Sequence, residues 1–401
     1  MSACCPVGLT CMCSAPRKDF GFQEGRRGHI AAINPHQKRE GVPTHETEDL
    51  ECRSPQGHPL TALPSPHAMA DWLALLSEEV LEPDLPIIDA HHHLWDRPAS
   101  RYLLDEFLAD INSGHRIVAT VYLQCFAMHR MAGPLAQRPV GETEFANGIA
   151  AMSASGHYGQ TRICEAIVSY VDLRLGDEAE RALDLHAAHG GSRFKGIRQI
   201  TAWDKNPDAV NPENMASQGM LSDPRFRAGF ATLNPRGLSF DAFLFHNQLE
   251  ELIDLARAFP STRIVLNHLG APLGIAGYEK RRAEVLREWA LSMKQLSTCE
   301  NVFVKLGGMG LRPVGMGFAA HPAPLSSERL AELMRPFVHP CIEYFGARRC
   351  MFESNFPIDK SSYSYRTCWN TFKRLALGAS EGEKRFLFHD TAATVYGLRN
   401  L

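Results

Sequence analysis

The stretch Phe240-Asp-Ala-Phe-Leu-Phe-His-Asn-Gln-Leu-Glu-Glu-Leu-Ile-Asp-Leu-Ala-Arg-Ala-Phe-Pro-Ser-Thr-Arg-Ile-Val-Leu-Asn-His268 holds one strand, one helix and one further strand. Phe240–Phe245 is apolar and aromatic, as a buried strand is. Leu249, Leu252, Ile253, Ala256 and Phe259 then recur with the i, i+3, i+4, i+7 spacing of a helix face, and Pro260 stops the helix. Arg263–Leu266 returns to a short apolar run. Strand, helix, strand with short connections is the unit of a parallel sheet. Each of its strands leads into a histidine, His246 and His268.

The same order recurs outward from this unit. On the N-terminal side, Ile87–Ala90, Ile117–Gln124, Ile163–Leu173 and Phe194–Arg198 read as strands. A helix over Asp177–His189 places Ala179, Leu183 and Ala187 on one stripe. On the C-terminal side, Val302–Leu306 and Arg349–Glu353 are strands, and Arg281–Leu296, Glu328–Met334 and Tyr365–Leu375 are helices. Asp71–Leu81, with Trp72, Leu76 and Val80 four apart and Pro83 beyond, predicts a helix ahead of the first strand. About eight short strands, most followed by a helix, predict an α/β fold, the (β/α)8 TIM barrel. A doubly wound open sheet would usually carry a glycine-rich phosphate loop, and neither G-x-G-x-x-G nor a P-loop occurs. Residues from Cys125 through Gln160, with Gly133-Pro134 and Gly141-Glu-Thr-Glu144, read as a long loop beyond a strand end, where a barrel holds substrate.

Residues 1–68 show little apolar periodicity and predict a non-globular extension, disordered or mispredicted, with Met69 a candidate start and 69–401 the folded domain. The extension lacks the apolar core of a signal peptide. Lys+Arg at 42 against Asp+Glu at 45 gives no basic excess for nucleic acid, and no apolar run nears the roughly 18 residues of a membrane span. The expected partner is a small-molecule substrate, and a homo-oligomer is compatible with the composition. Five of eleven cysteines (Cys4, Cys5, Cys11, Cys13, Cys52) fall in the extension. The other six (Cys125, Cys164, Cys299, Cys341, Cys350, Cys368) have no repeated spacing, as buried free thiols would, which fits a reducing cytoplasm.

Polar residues able to do chemistry stand at successive strand ends: His91 and His93, Gln124, Arg198, His246, Asn267-His268, and Glu353-Ser-Asn355. A strand's period of two puts His91 and His93 on one side and His92 on the other. A barrel gathers all strand ends on one rim, so these residues meet around one site. Lys195 lies mid-strand on the face opposite Arg198 and reads as structural.

As a set, Ile88-Asp-Ala-His-His-His-Leu-Trp-Asp96, Phe194-Lys-Gly-Ile-Arg198, Leu266-Asn-His-Leu-Gly-Ala-Pro272, Val304-Lys-Leu-Gly-Gly308 and Met351-Phe-Glu-Ser-Asn-Phe-Pro357 resemble the amidohydrolase-related TIM-barrel proteins. The closest branch is that of sugar lactonases and pyrone dicarboxylate lactonase. The resemblance implies a hydrolase of a lactone or related carbonyl compound, or alternatively a non-oxidative decarboxylase; a binding barrel without catalysis is a third reading. It implies one divalent ion, zinc or manganese, on His91, His93 and His246, or a metal-free site in which these histidines polarise the carbonyl. Arg198, His268, Asn267 and Gln124 would bind substrate. The family's last strand commonly ends in Ser-Asp-Trp-Pro, whereas this chain has Ser354-Asn355-Phe356-Pro357. An amide cannot take the proton of the attacking water, so Asn355 would orient and Asp359 or Glu353 would be the base.

Overall fold

The computed structural model describes residues 66–98, 100–211 and 216–399. Eight parallel strands follow one another around a barrel in chain order. They are β1 (Ile87–His92), β2 (Ile117–Leu123), β3 (Arg162–Ser169), β4 (Phe194–Ile197), β5 (Ser239–Ala242), β6 (Ile264–Leu266), β7 (Val302–Leu306) and β8 (Cys350–Phe352). The barrel closes just past β8, where His93 N–H donates to Phe356 O at 2.8 Å and Asn355 N–H to His91 O at 2.9 Å. After the strands come α1 (Leu104–Ile111), α2 (Val140–Ala154), α3 (Asp177–Gly190), α4 (Pro224–Ala231), α5 (Leu249–Ala258), α6 (Arg282–Leu296), α7 (Ser327–Phe345) and α8 (Tyr365–Leu375). This is the expected TIM barrel. No helix among the described residues is long and apolar enough to cross a membrane.

Strand alternation divides the core in two. Ile88, Ala90, Ala119, Val121, Ala166 and Val265 fill the lumen, and Ala392, Val395 and Tyr396 of the C-terminal helix Thr391–Tyr396 pack against them. Ile87, Tyr122, Ile167 and Phe240 belong to the larger core shared with the helices. Strict alternation from Ile88 and Ala90 would aim His92 at the lumen. It does not, because four residues of β1 (Asp89 to His92) lie opposite three of β2 (Thr120 to Tyr122). This bulge re-aims the end of the strand. His91 and His93 come together, and His92 stacks on Phe107 of α1 at 4.3 Å while Thr120 Oγ1 lies 2.9 Å from its Nε2.

Several expectations are corrected. The long loop after β2 contains the 15-residue helix α2. Its buried face is mostly small or polar (Gly141, Glu142, Thr143, Ala146, Ala150, Ser153), with Val140 and Ile149 its only large apolar members, so it lacks the continuous apolar stripe that marks a helix in sequence. Gly141 is needed there, since a Cβ would stand 2.4 Å from Met128 O. The helix expected over 71–81 instead spans Pro66–Ala74. Tertiary hydrogen bonds hold the following segment out of the helix: Ser327 N–H donates to Glu78 Oε1 at 2.7 Å, and Leu81 N–H to Asn370 Oδ1 at 2.9 Å. The third strand stops at Ser169 rather than Leu173, and α7 continues through Pro336 and Pro340 to Phe345. The six cysteines of the barrel are buried and free, as expected. The five others, and most of the expected extension, lie outside the described residues.

Candidate active site

The strand ends deliver most of the expected residues to one place. Gln124, Arg198 and Asn267 each sit one residue past a strand and still make one strand-like bond. Their N–H groups donate to Val168 O, Ser169 O and Ala242 O at 2.8, 2.8 and 2.9 Å. His91 and His93 pack edge to face with Nε2 atoms 3.1 Å apart. His93 Nδ1 lies 2.8 Å from Leu123 O, which can only accept, so Nδ1 carries the proton and Nε2 keeps its lone pair. Arg198 Nη1 donates to His91 Nε2 at 3.2 Å, and its Nη2 donates to Gln124 O. Burial, reinforced by neighbouring cations, holds both imidazoles well below the usual histidine range.

Glu353 lies on the other side of His91. Its Oε1 accepts from His268 N–H at 3.0 Å and from His268 Nδ1 at 2.8 Å. Its Oε2 is 2.6 Å from His91 Nδ1, yet the approach does not have hydrogen-bond geometry, and both atoms are buried without a hydrogen-bond partner. His268 reaches this position from a left-handed turn, with φ +56° at His268, +57° at Leu269, +71° at Gly270 and +36° at Ala271. Trp289 Nε1–H braces that turn by donating to Leu269 O at 2.7 Å.

Asp359 and Asn355 form a separate pair. Asn355 Nδ2 donates to Asp359 Oδ1 at 2.8 Å, while Gly310 N–H, at 3.0 Å, and Tyr363 OH donate to Oδ2. Burial pushes the Asp359 carboxyl up to about 6 against these donors. Asp89 is likewise pushed up to about 6 by burial while it accepts from Ser354 and Tyr365 across the closing seam.

His246 does not join the group it was expected to complete. Leu273 N–H donates to its Nδ1 at 3.3 Å, which leaves the proton on Nε2 and makes His246 a donor. Burial lowers its pKa to about 4. Among the described residues, the side chains whose ligand atoms fall within 4.8 Å of one another are His91, His268 and Glu353. Of the expected set of His91, His93 and His246, His91 belongs to this group; its other members are His268, past the end of β6, and Glu353, just past β8. Lys195 shows no role here; its nitrogen lies beside Gly397 of the C-terminal segment.

Sequence reading missed two supports of the site. Gly307 and Gly308 make room for it, since a Cβ on Gly308 would stand 2.2 Å from His268 Nδ1 and one on Gly307 2.5 Å from Glu353 Cγ. The Gly-Gly pair directly after a strand was the available signal. Beneath lies a buried ion pair: Lys305 Nζ is 2.8 Å from Asp241 Oδ1, to which Asn267 Nδ2 and Tyr396 OH each donate at 3.0 Å. A charge inside an apolar strand, as in Val302-Phe-Val-Lys-Leu306, was its signal.

A family model described as Amidohydrolase matches residues 88–398, which takes in the eight strands except Ile87 and every residue of the site. The chain belongs to the amidohydrolase family. The protein y4mH of Sinorhizobium fredii is 33% identical to this amidohydrolase over 337 residues, covering 78% of this chain and 99% of that protein. An L-fucono-1,5-lactonase of Burkholderia ambifaria is 25% identical over 243 residues, covering 59% of this chain and 69% of that protein. Among solved structures, an amidohydrolase of Burkholderia multivorans with bound zinc superposes with a TM-score of 0.58 at 23% identity. It covers 78% of this chain and 99% of its own.

The amidohydrolase site suits a divalent ion on its own chemistry. Two imidazoles and a carboxylate are the donor types that zinc and manganese take. His91, His268 and Glu353 bring that donor set together in one buried place. The Gln124 amide, Arg198 Nε and Asn267 Oδ1 are buried without partners, so polar capacity at this rim is left for a substrate.

Proposed function

We propose that this amidohydrolase opens a cyclic ester, with Glu353 as proton acceptor for the attacking water. One observation carries the reading: a fully buried carboxylate whose Oε1 is tethered by two donors of His268 and whose Oε2 has no hydrogen bond. Asp359 already accepts three hydrogen bonds, so its part is to orient Asn355. The similarity to an L-fucono-1,5-lactonase supports an ester of the lactone class.

The residues divide the work as follows. Water attacks the ester carbon, a C–O bond forms, and the water proton passes to Glu353 Oε2. Arg198 Nε–H, buried without a partner, is a donor for the oxygen on which negative charge develops. His268 Nδ1–H and N–H hold the carboxylate in place through this step. Collapse breaks the ring C–O bond, Glu353 returns the proton to the departing ring oxygen, and a hydroxy acid leaves. A divalent ion held by His91, His268 and Glu353 would, when bound, polarise the ester carbonyl and make water easier to ionise.

The test is acid release from a panel of 1,4- and 1,5-lactones, followed with a pH indicator. Glu353→Gln is expected to lose about 10²- to 10⁴-fold in kcat, and Asp359→Asn less. Undiminished turnover in Glu353→Gln would remove the carboxylate from the chemistry. Carbon dioxide release without ring opening would replace the reaction itself.

A further inference from the structure

Two features of the β1 histidines conflict. The Nε2 atoms of His91 and His93 stand 3.1 Å apart, as two ligands of one ion with bonds of about 2.0–2.1 Å would. Yet Arg198 Nη1 donates to that same His91 Nε2 at 3.2 Å, and Nη2 of the same guanidinium donates to Gln124 O. Arg198 is 4% exposed, and the guanidinium stays charged in a protein. One lone pair serves one partner at a time.

We propose that Arg198 is the built-in cation of the His91–His93 pair: its guanidinium occupies the His91 nitrogen that a metal ion would need, and an ion reaches the pair only by displacing it. The strand ends allow this because β4 places Arg198 directly after Ile197, with its N–H fixed to Ser169 O at 2.8 Å, so the side chain alone has to move. The proposal does not depend on which ester is cleaved, since it is read from metal binding.

The experiment is titration of zinc and of manganese into chelator-treated full-length protein, comparing wild type with Arg198→Met. Loss of a hydrogen bond from a charged donor predicts about 10- to 100-fold tighter metal binding in the variant. Equal or weaker binding, or no binding by either protein, would overturn the proposal. If Arg198→Met does not fold, crystals of wild type soaked in zinc decide. Arg198 withdrawn from His91 with an ion on the His91–His93 pair supports it; an ion on the pair with Arg198 still on His91 Nε2 overturns it.

Discussion

Gly308→Ala tests whether the room at the end of β7 holds the site together. The added Cβ would stand 2.2 Å from His268 Nδ1 and 2.5 Å from its Cγ, and Gly308 has φ +69°. The backbone conformation alone costs alanine about 1–2 kcal/mol. Relief of the contact requires the imidazole to retreat by about 1 Å, which breaks the His268–Glu353 bond, worth about 1.5–3 kcal/mol with a charged acceptor. Together these predict a loss of about 2.5–5 kcal/mol, which for a domain this size lowers Tm by roughly 4–7 °C. A displacement of about 1 Å at a reacting group also predicts a fall of about 10²-fold in kcat/KM. Gly317→Ala is the control, because Gly317 has φ +68° and nothing within 4 Å of an added Cβ. It carries the backbone cost without the collision, so it should lose about 1–2 kcal/mol and keep its activity. Thermal melts and lactone initial rates on both variants check this. If Gly308→Ala melts and turns over like Gly317→Ala, the room at Gly308 does not support His268.

Asp359→Asn separates the raised acid from the rest by its pH dependence. A carboxyl raised to about 6 when folded stabilises below its unfolded value of 3.8, and that contribution is lost as pH rises through 6. The variant should therefore be most destabilised relative to wild type near pH 4, and the gap should narrow by on the order of 3 kcal/mol at pH 7 in urea denaturation. A gap that widens instead means the carboxyl is not raised. Lys305→Met strands Asp241 in the lumen and should cost about 3–5 kcal/mol by the same method, most of it recovered when Asp241→Asn is added. A double variant no more stable than the single one would mean that the charge pair is not what the lysine serves.

The barrel was legible because each strand and its helix are local, and their periods of 2 and 3.6 survive in sequence wherever large apolar side chains mark the buried face. It failed at α2, whose buried face is mostly glycine, alanine, threonine, serine and glutamate, with Val140 and Ile149 too few to mark a stripe. It failed again over residues 75–81, where contacts with Ser327 and Asn370 outweigh a four-residue apolar spacing. Site membership was legible from strand ends, since position along a strand fixes the rim. Partnership across the rim was not. That His268 rather than His246 meets His91 depends on a left-handed turn after β6, and that Arg198 reaches His91 depends on side-chain length and direction. The bulge in β1 is the instructive case. Alternation across the three histidines was right, and the phase linking them to Ile88 and Ala90 was changed by one inserted residue.

Asn355 takes on a different meaning in this setting. Its N–H closes the barrel on His91 O, Ser354 closes it on Asp89, and its amide is held by Asp359, so the position is occupied by structural bonds. The acid that meets the histidines stands two residues earlier, at Glu353. A longer acid at the end of β8 needs space that a β7 residue with a Cβ would fill, and Gly307 and Gly308 leave that space open. Glu353, the two glycines and the left-handed turn bearing His268 therefore form one arrangement. Asn355→Asp with Glu353 left in place would bring a second carboxylate beside Asp359, where burial already opposes ionisation. The glycines beside Glu353 and the structural bonds around Asn355 thus give the longer acid the place next to His91 and His268.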